Sequence, residues 1–401
     1  MAPFSAIPFH PAMPAITVQP RARLFHGHVW VYGVEIKARF GDPQPGDVVQ
    51  LQDVRGKQLG SAIYNPQSQI TARLFSYRRQ GLDLDFFTRR IQRALRVREE
   101  AGVDTALCRV VWSESDGLPG VVVDRYGDFI VLQTLTLAMA RRQDLIIQAL
   151  VDVFQPRGII QRNEGAVRKA EGLDQVKGVV WGETPEPYVV RHAGCSFHAD
   201  LIEGQKTGLY LDQLDNYTHV SRLARDRRVL DCFTNQGGFA QACALAGAAE
   251  VTAVDISETA VAQAEKNAAI SGAGVRFITA NCFDFLKERE SSGAEYDLII
   301  LDPPSFTKTK SSVKDALRGY KEIHLRALKM LKPGGIIATF SCSHHVSKGE
   351  FHASLVEAGV DVKKTLRRVA TYTQRPDHPI LASIQETEYL TGYAYEVVAA
   401  W

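Results

Sequence analysis

Two short runs, Leu301-Asp302-Pro303-Pro304-Ser305 and Thr339-Phe340-Ser341-Cys342-Ser343, each follow an apolar, strand-like stretch. Strand ends of a doubly wound α/β sheet converge on one ligand crevice, so this pattern brings a carboxylate and a thiol to one substrate. A thiolate that adds at carbon 6 of a pyrimidine turns the ring into an enamine or enolate, whose carbon 5 can attack a sulfonium methyl group. The same thiolate can leave again by elimination. Cys342 is therefore the candidate nucleophile, and Asp302 is placed to contact the ring-nitrogen edge of the base. The plainer alternatives are a small core cysteine and a strand-end cap stiffened by Pro303 and Pro304. His344 and His345 could remove the carbon 5 proton, or could be surface histidines.

These residues need a scaffold of buried parallel strands. Apolar runs at Arg228–Asp231, Glu250–Asp255, Val275–Ile278, Asp297–Leu301 and Gly335–Phe340 alternate with helical stretches, as such a sheet requires. The first run ends in Asp231-Cys232-Phe233-Thr234-Asn235-Gln236-Gly237-Gly238. Glycines there let backbone approach a ligand and leave helix N-terminal amides free, although an ordinary tight turn would look the same. Asp255, about twenty residues on, is positioned to accept from ribose hydroxyls. Asp284 could accept from an exocyclic amine, with Phe283 or Phe285 flanking an adenine ring. Each acid alone could be a helix cap, but at three successive strand ends they describe a nucleoside pocket.

The remaining chain divides by composition. From Ile16 to about Ser76, short β-branched runs and Gly/Pro turns read as a small β-barrel. Residues 77–190 read as an α+β segment: an amphipathic helix from Phe86 to Ala101, a hairpin around Gly127-Asp128, a helix from Ala140 to Phe154, and a strand pair at Gly158–Arg162 and Gly178–Trp181. The six cysteines show no Cys-x-x-Cys or zinc spacing, so reduced thiols and no metal are expected. No membrane span or export signal is evident, and a cytoplasmic location is the default. Net charge is +2, yet the first hundred residues carry 14 Lys/Arg against 8 Asp/Glu. Arg21, Arg23, Arg73 and Arg78, with Trp30 among neighbouring aromatics, offer phosphate contacts and stacking surfaces suited to RNA. The arginines of the Phe86–Ala101 helix read as a solvated face.

The order Asp231, Gly237-Gly238, Asp255, Asp284, Asp302-Pro303-Pro304, Cys342 resembles the class I S-adenosylmethionine-dependent methyltransferases. With Gly27-His28-Val29-Trp30-Val31-Tyr32 and Lys206-Thr207-Gly208-Leu209-Tyr210-Leu211-Asp212-Gln213, it is most similar to the large-subunit ribosomal RNA cytosine-5 methyltransferases. That resemblance implies a PUA-like domain at 1–76, a central α+β domain at 77–190 and a Rossmann-like catalytic domain at 191–401. It implies S-adenosyl-L-methionine as cofactor, large-subunit (23S) ribosomal RNA as partner and a homodimer. Its cofactor set falls on Lys206, Asp212, Asp231, Phe233, Gly237, Gly238, Asp255, Ile256, Asp284, Phe285 and Asp302. Leu214 stands where the family has arginine, a departure that puts in doubt any role assigned to an arginine at that position. Uridine carbon 5 methylation, exocyclic amino methylation and a non-catalytic RNA-binding or assembly role are the alternatives. Ser305 and Ser343-His344 argue against the first two, and the retained acids and cysteine against the last.

Overall fold

The computed structural model describes residues 13–399 apart from 20, 21, 187, 205 and 308. Two compact units make up the chain. One comprises Met1–Glu186, Leu201–Glu203 and Pro376–Thr387; the other comprises Pro187–Asp200, Gly204–Arg375 and Glu388–Trp401.

The first unit contains two sheets. Strands β1 (Ala15–Val18), β2 (Trp30–Val31), β3 (Ile36–Phe40), β4 (Val48–Asp53), β5 (Gln58–Tyr64) and β6 (Ala72–Ser76) form a sheet of order β2-β6-β5-β4-β1-β3. Along β4 every second residue is buried, the pattern of a strand with one face on the core. Strands β7 (Leu107–Trp112), β8 (Val121–Tyr126), β9 (Phe129–Thr134), β10 (Gly158–Asn163) and β11 (Val176–Gly182) form a second sheet, β11-β10-β9-β8-β7. The β8–β9 hairpin turns at Gly127-Asp128, where Gly127 has φ +59°. A helix at Leu84–Glu100, capped by Asp83 accepting from the Phe86 amide, buries Phe86, Phe87, Ile91 and Ala94. The helix expected from Ala140 to Phe154 forms as two pieces, Leu137–Ala140 and Gln143–Phe154, because Arg142 between them leaves helical geometry at φ −113°, ψ 18°.

Arg98 organises the interior of this unit. Its guanidinium is fully buried and grips Asp116 with two bonds of 2.6 and 2.8 Å. It also donates to the carbonyls of Arg109 and Asp377, each at 2.9 Å. Asp377 in turn accepts from the Arg109 amide at 3.0 Å.

In the second unit a hairpin, β12 (Tyr188–His192) and β13 (Cys195–Ala199), precedes a seven-stranded sheet. Its strands are β14 (Arg228–Cys232), β15 (Glu250–Asp255), β16 (Arg276–Thr279), β17 (Tyr296–Leu301), β18 (Leu331–Ser341), β19 (Thr365–Thr373) and β20 (Thr391–Val398), in the order β16-β15-β14-β17-β18-β20-β19. β14 to β18 are parallel, and β20 runs antiparallel to both neighbours. Alternate residues feed two cores, one on each face. Leu230, Ile299, Leu301 and Ile337 join one cluster, while Val229, Leu298, Ile300 and Ile336 join the other. Burial on both faces explains why these strands are nearly continuous apolar runs. The order reverses between β14 and β17, so the C-terminal ends of the parallel strands open a crevice there.

Replacing Arg98 with Met should strand the buried Asp116 carboxylate and cost about 3–5 kcal/mol of stability. Urea unfolding would read this, and an unchanged midpoint would show that the pair contributes nothing.

Candidate active site at the strand ends

Asp231, buried at the end of β14, organises the first loop. One carboxylate oxygen accepts from the Thr234 hydroxyl at 2.6 Å and the Ala240 amide at 3.1 Å. The loop bends back through Phe233, Asn235 and Gly237, all at positive φ (+64°, +48° and +79°). The fold itself demands both glycines, Gly237 by its positive φ and Gly238 by close packing. A Cβ on Gly238 would lie 2.3 Å from the Tyr217 ring, and neither glycine lines the cavity.

A cavity of about 570 Å³ opens beyond this loop. On one side Asp255 accepts from the amides of Asn235 (2.9 Å) and Ser257 (3.0 Å). Next to it Ile256 lines the cavity and is 66% exposed, an apolar side chain with no cover in the fold. Phe233, Phe283 and Phe306 line the same space, with ring centroids 5.7 to 6.4 Å apart. Phe285 instead packs in the core, and Asp284 is exposed on the first turn of the Cys282–Ser291 helix, outside the lining. That helix begins with Asn281 as its cap, which directs Phe283 to the cavity and turns Phe285, two positions on, to the opposite face.

The other side holds the reactive groups. Asp302, Pro303, Pro304, Ser305 and Cys342 all line the cavity, and of six cysteines Cys342 alone is partly exposed. Burial, then Asp212, pushes the Asp302 carboxyl up to about 7, while the Gln213 amide donating at 2.9 Å and Lys206 oppose this. Burial pushes the Cys342 thiol up to about 11, with the Asp302 charge the next contribution. Asp212 accepts from Lys206 Nζ at 3.1 Å and from the Tyr389 hydroxyl at 2.7 Å. Lys206 also sits 4.0 Å from the centre of the Tyr210 ring. The flanking Ser341 and Ser343 both meet the buried Tyr320 hydroxyl, at 3.0 and 3.2 Å, and Ser343 meets Ser305 at 2.9 Å. This hydroxyl chain ties the ends of β17 and β18 together. His344 is exposed, and neither His344 nor His345 lines the cavity. Leu214 is buried at the start of the Leu214–Ser221 helix.

Phe306 lines the cavity and Tyr389 reaches it through Asp212 without sequence reasoning having named either, and Tyr210 and Gln213 entered only as part of the Lys206–Gln213 segment. Phe306 follows the Asp-Pro-Pro-Ser corner directly, so its position was a usable signal; nothing in the sequence marks Tyr389.

The expected RNA-contact residues fall in the first unit. Arg21 lies outside the described residues. Arg23 is paired with Glu35 and sits 4.5 Å from the Tyr32 ring centre. Arg73 requires correction as a phosphate contact: it is buried, bonded to Glu114 at 2.6 Å, and Glu114 also takes the Trp30 indole N–H at 2.9 Å. Burial disfavours an unpaired carboxylate at Glu114, so Arg73 and Trp30 are committed to it. Arg78 is exposed.

Burial raises Asp231 to about 7 from an ordinary 3.8. The folded protein therefore binds an extra proton between these values, and stability should fall as pH rises from about 4 to 7. Asp231→Asn should flatten that fall by up to about 1.4 kcal/mol per pH unit, read by urea unfolding across the range. An unaltered slope would mean Asp231 is ionised throughout.

Residues 168–382 match a family model described as S-adenosylmethionine-dependent methyltransferase, and residues 16–77 match a PUA-like domain. The ribosomal RNA large subunit methyltransferase I of Erwinia tasmaniensis is 37% identical over 382 residues, spanning 94% of this chain and 96% of that protein. Its Vibrio vulnificus counterpart is 36% identical over 379 residues, spanning 92% and 96%. A solved structure described as a methyltransferase complexed with SAH superposes with a TM-score of 0.81 at 22% identity, covering 96% of this chain and 99% of that one, a likeness of fold.

Proposed function

The chain belongs to the S-adenosylmethionine-dependent ribosomal RNA large subunit methyltransferase I family, and on that premise we propose that it methylates carbon 5 of a cytosine in large-subunit ribosomal RNA through a covalent adduct on Cys342. The observation that carries this reading is the placement of Cys342, the one partly exposed cysteine of six, in the same cavity as Asp302 and Asp255.

The cavity suits the cofactor. The second carboxylate oxygen of Asp231 is buried with no hydrogen-bond partner among the described residues, an acceptor awaiting a donor such as an ammonium group. Asp255 and the uncovered Ile256 would hold a ribose and the edge of an adenine, with Phe233 and Phe283 beside them. Lys206 and Asp212 would border the methionine end. When bound, S-adenosylmethionine supplies the electrophilic methyl group.

The protein's own groups do the rest. Near neutral pH the Asp302 carboxyl is partly protonated, which removes the charge opposing the Cys342 thiolate and leaves a proton to donate to the ring-nitrogen edge. The Cys342 thiol loses its proton to solvent, and the thiolate adds to carbon 6 as Asp302 protonates the ring nitrogen, which moves density to carbon 5. After methylation the carbon 5 proton passes to solvent, the carbon–sulfur bond breaks and the ring nitrogen returns its proton to Asp302, which restores the aromatic ring and the thiolate. Amino methylation would need no such thiol.

Cys342→Ala should abolish methyl transfer while cofactor and RNA still bind. RNA carrying 5-fluorocytosine at the target should leave a denaturation-resistant adduct on the unmodified protein. Substantial methylation by the variant, or an adduct mapped by mass spectrometry to another cysteine, would refute the assignment.

Asp255→Ala should weaken S-adenosylmethionine binding by about 1–3 kcal/mol in calorimetry. Unchanged affinity in a folded variant would remove Asp255 from the site.

A further inference from the structure

We propose that the outward face of the Leu84–Glu100 helix, continued by Tyr77 and Arg78, is a docking surface for the phosphodiester backbone of the RNA; this rests on the RNA-substrate reading above. The structure sorts the five arginines of this helix by environment. Arg98 is fully buried on Asp116. Arg90 is half-buried, donates to the Phe75 carbonyl at 3.0 Å and lies 5.2 Å from the Phe86 ring centre. Arg89, Arg93 and Arg96 are exposed, opposite the buried Phe87, Ile91 and Ala94.

Spacings of four and three residues put those three guanidinium groups in one stripe, with a rise of about 6 Å and then about 4.5 Å along the axis. Like charges so placed repel and cost an isolated helix a few tenths of a kcal/mol per pair. Burial, together with the charges of Arg93 and Arg89, pushes the Arg90 guanidinium down, which reports the same local excess. The fold does little to offset it. Arg89 pairs with Asp85 at 2.9 Å, but both side chains are mostly exposed, and such pairs are weak and salt-screened. Arg93 and Arg96 have no carboxylate partner among the described residues.

The segment just before the helix supplies a second basic element. The Arg90 bond to the Phe75 carbonyl pins the helix to the end of β6, where Tyr77 is 68% exposed and Arg78 is exposed. From Tyr77 to Arg96 the chain carries six arginines against two aspartates. Cations strung along the outward face of a helix match a polymer of regularly spaced charges, and the exposed tyrosine adds a stacking surface for an unpaired base.

The test is the double variant Arg93→Gln/Arg96→Gln, which keeps good helix formers and removes two charges. Its unfolding midpoint would be checked against the unmodified protein. Affinity for a large-subunit ribosomal RNA fragment should fall at least about 10-fold at 50 mM salt, and the slope of log affinity against log salt should shrink by about 1.4–1.8. KM for RNA should rise, with kcat at saturating RNA and S-adenosylmethionine affinity unchanged. An unchanged salt slope and KM would overturn the surface and leave the methyltransferase reading intact. A loss of binding to polyglutamate without a loss for RNA would assign the stripe to an acidic protein partner and equally overturn it. No measurable RNA binding by the unmodified protein would overturn both readings.

Discussion

Carboxylates crowd the C-terminal ends of the parallel strands, and the site is built around containing them. Asp212, Asp255 and Asp302 line one cavity, with Asp231 buried just behind. Ionising all four in a desolvated space is costly, so Asp231 and Asp302 both rise to about 7. Much of the surrounding structure answers this cost: Thr234 and the Ala240 amide on Asp231, Gln213 on Asp302, Lys206 and Tyr389 on Asp212. A pocket held in this state favours a cationic ligand, and the Asp302 charge adds to the burial that raises the Cys342 thiol.

The scaffold was legible because parallel strands buried on both faces must be apolar throughout, and their ends are then marked by the first polar residue. Asp231, Asp255 and Asp302 were found that way. The choice between Phe283 and Phe285 depended on where a helix begins, and a boundary shift of one residue rotates every side chain by about 100°. Partners distant in sequence left no trace at all: Asn216 donates to both Gln213 and the Thr373 carbonyl, and Tyr389 reaches Asp212. Arg73 shows the limit of composition, since a basic residue reads the same whether it faces solvent or a buried glutamate. At Gly238 the Tyr217 ring is a second reason for glycine, one the motif does not show.

A sheet of this order can support attack by several kinds of atom, and fold alone does not choose among them. Here the distinguishing group is a thiol at the end of β18, framed by two serines that both meet the Tyr320 hydroxyl. That bracing fixes the backbone on either side of Cys342 while leaving its side chain toward the cavity. Rigidity on both flanks is what the nucleophile proposed above would require, because addition and departure use the same geometry.

The grip of Arg98 and Arg109 on Asp377 places part of the first unit's interior nearly two hundred residues downstream of the rest. During synthesis, Arg98 and Asp116 emerge together, but the Pro376–Thr387 segment that completes their surroundings does not exist yet. At about 5–20 residues per second the ribosome needs roughly 13–50 s after Asp116 to reach Asp377. The contacts of Asp377 with Arg98 and Arg109 therefore cannot form until the C-terminal sheet has almost all been made, so part of the first unit's interior is among the last to be completed.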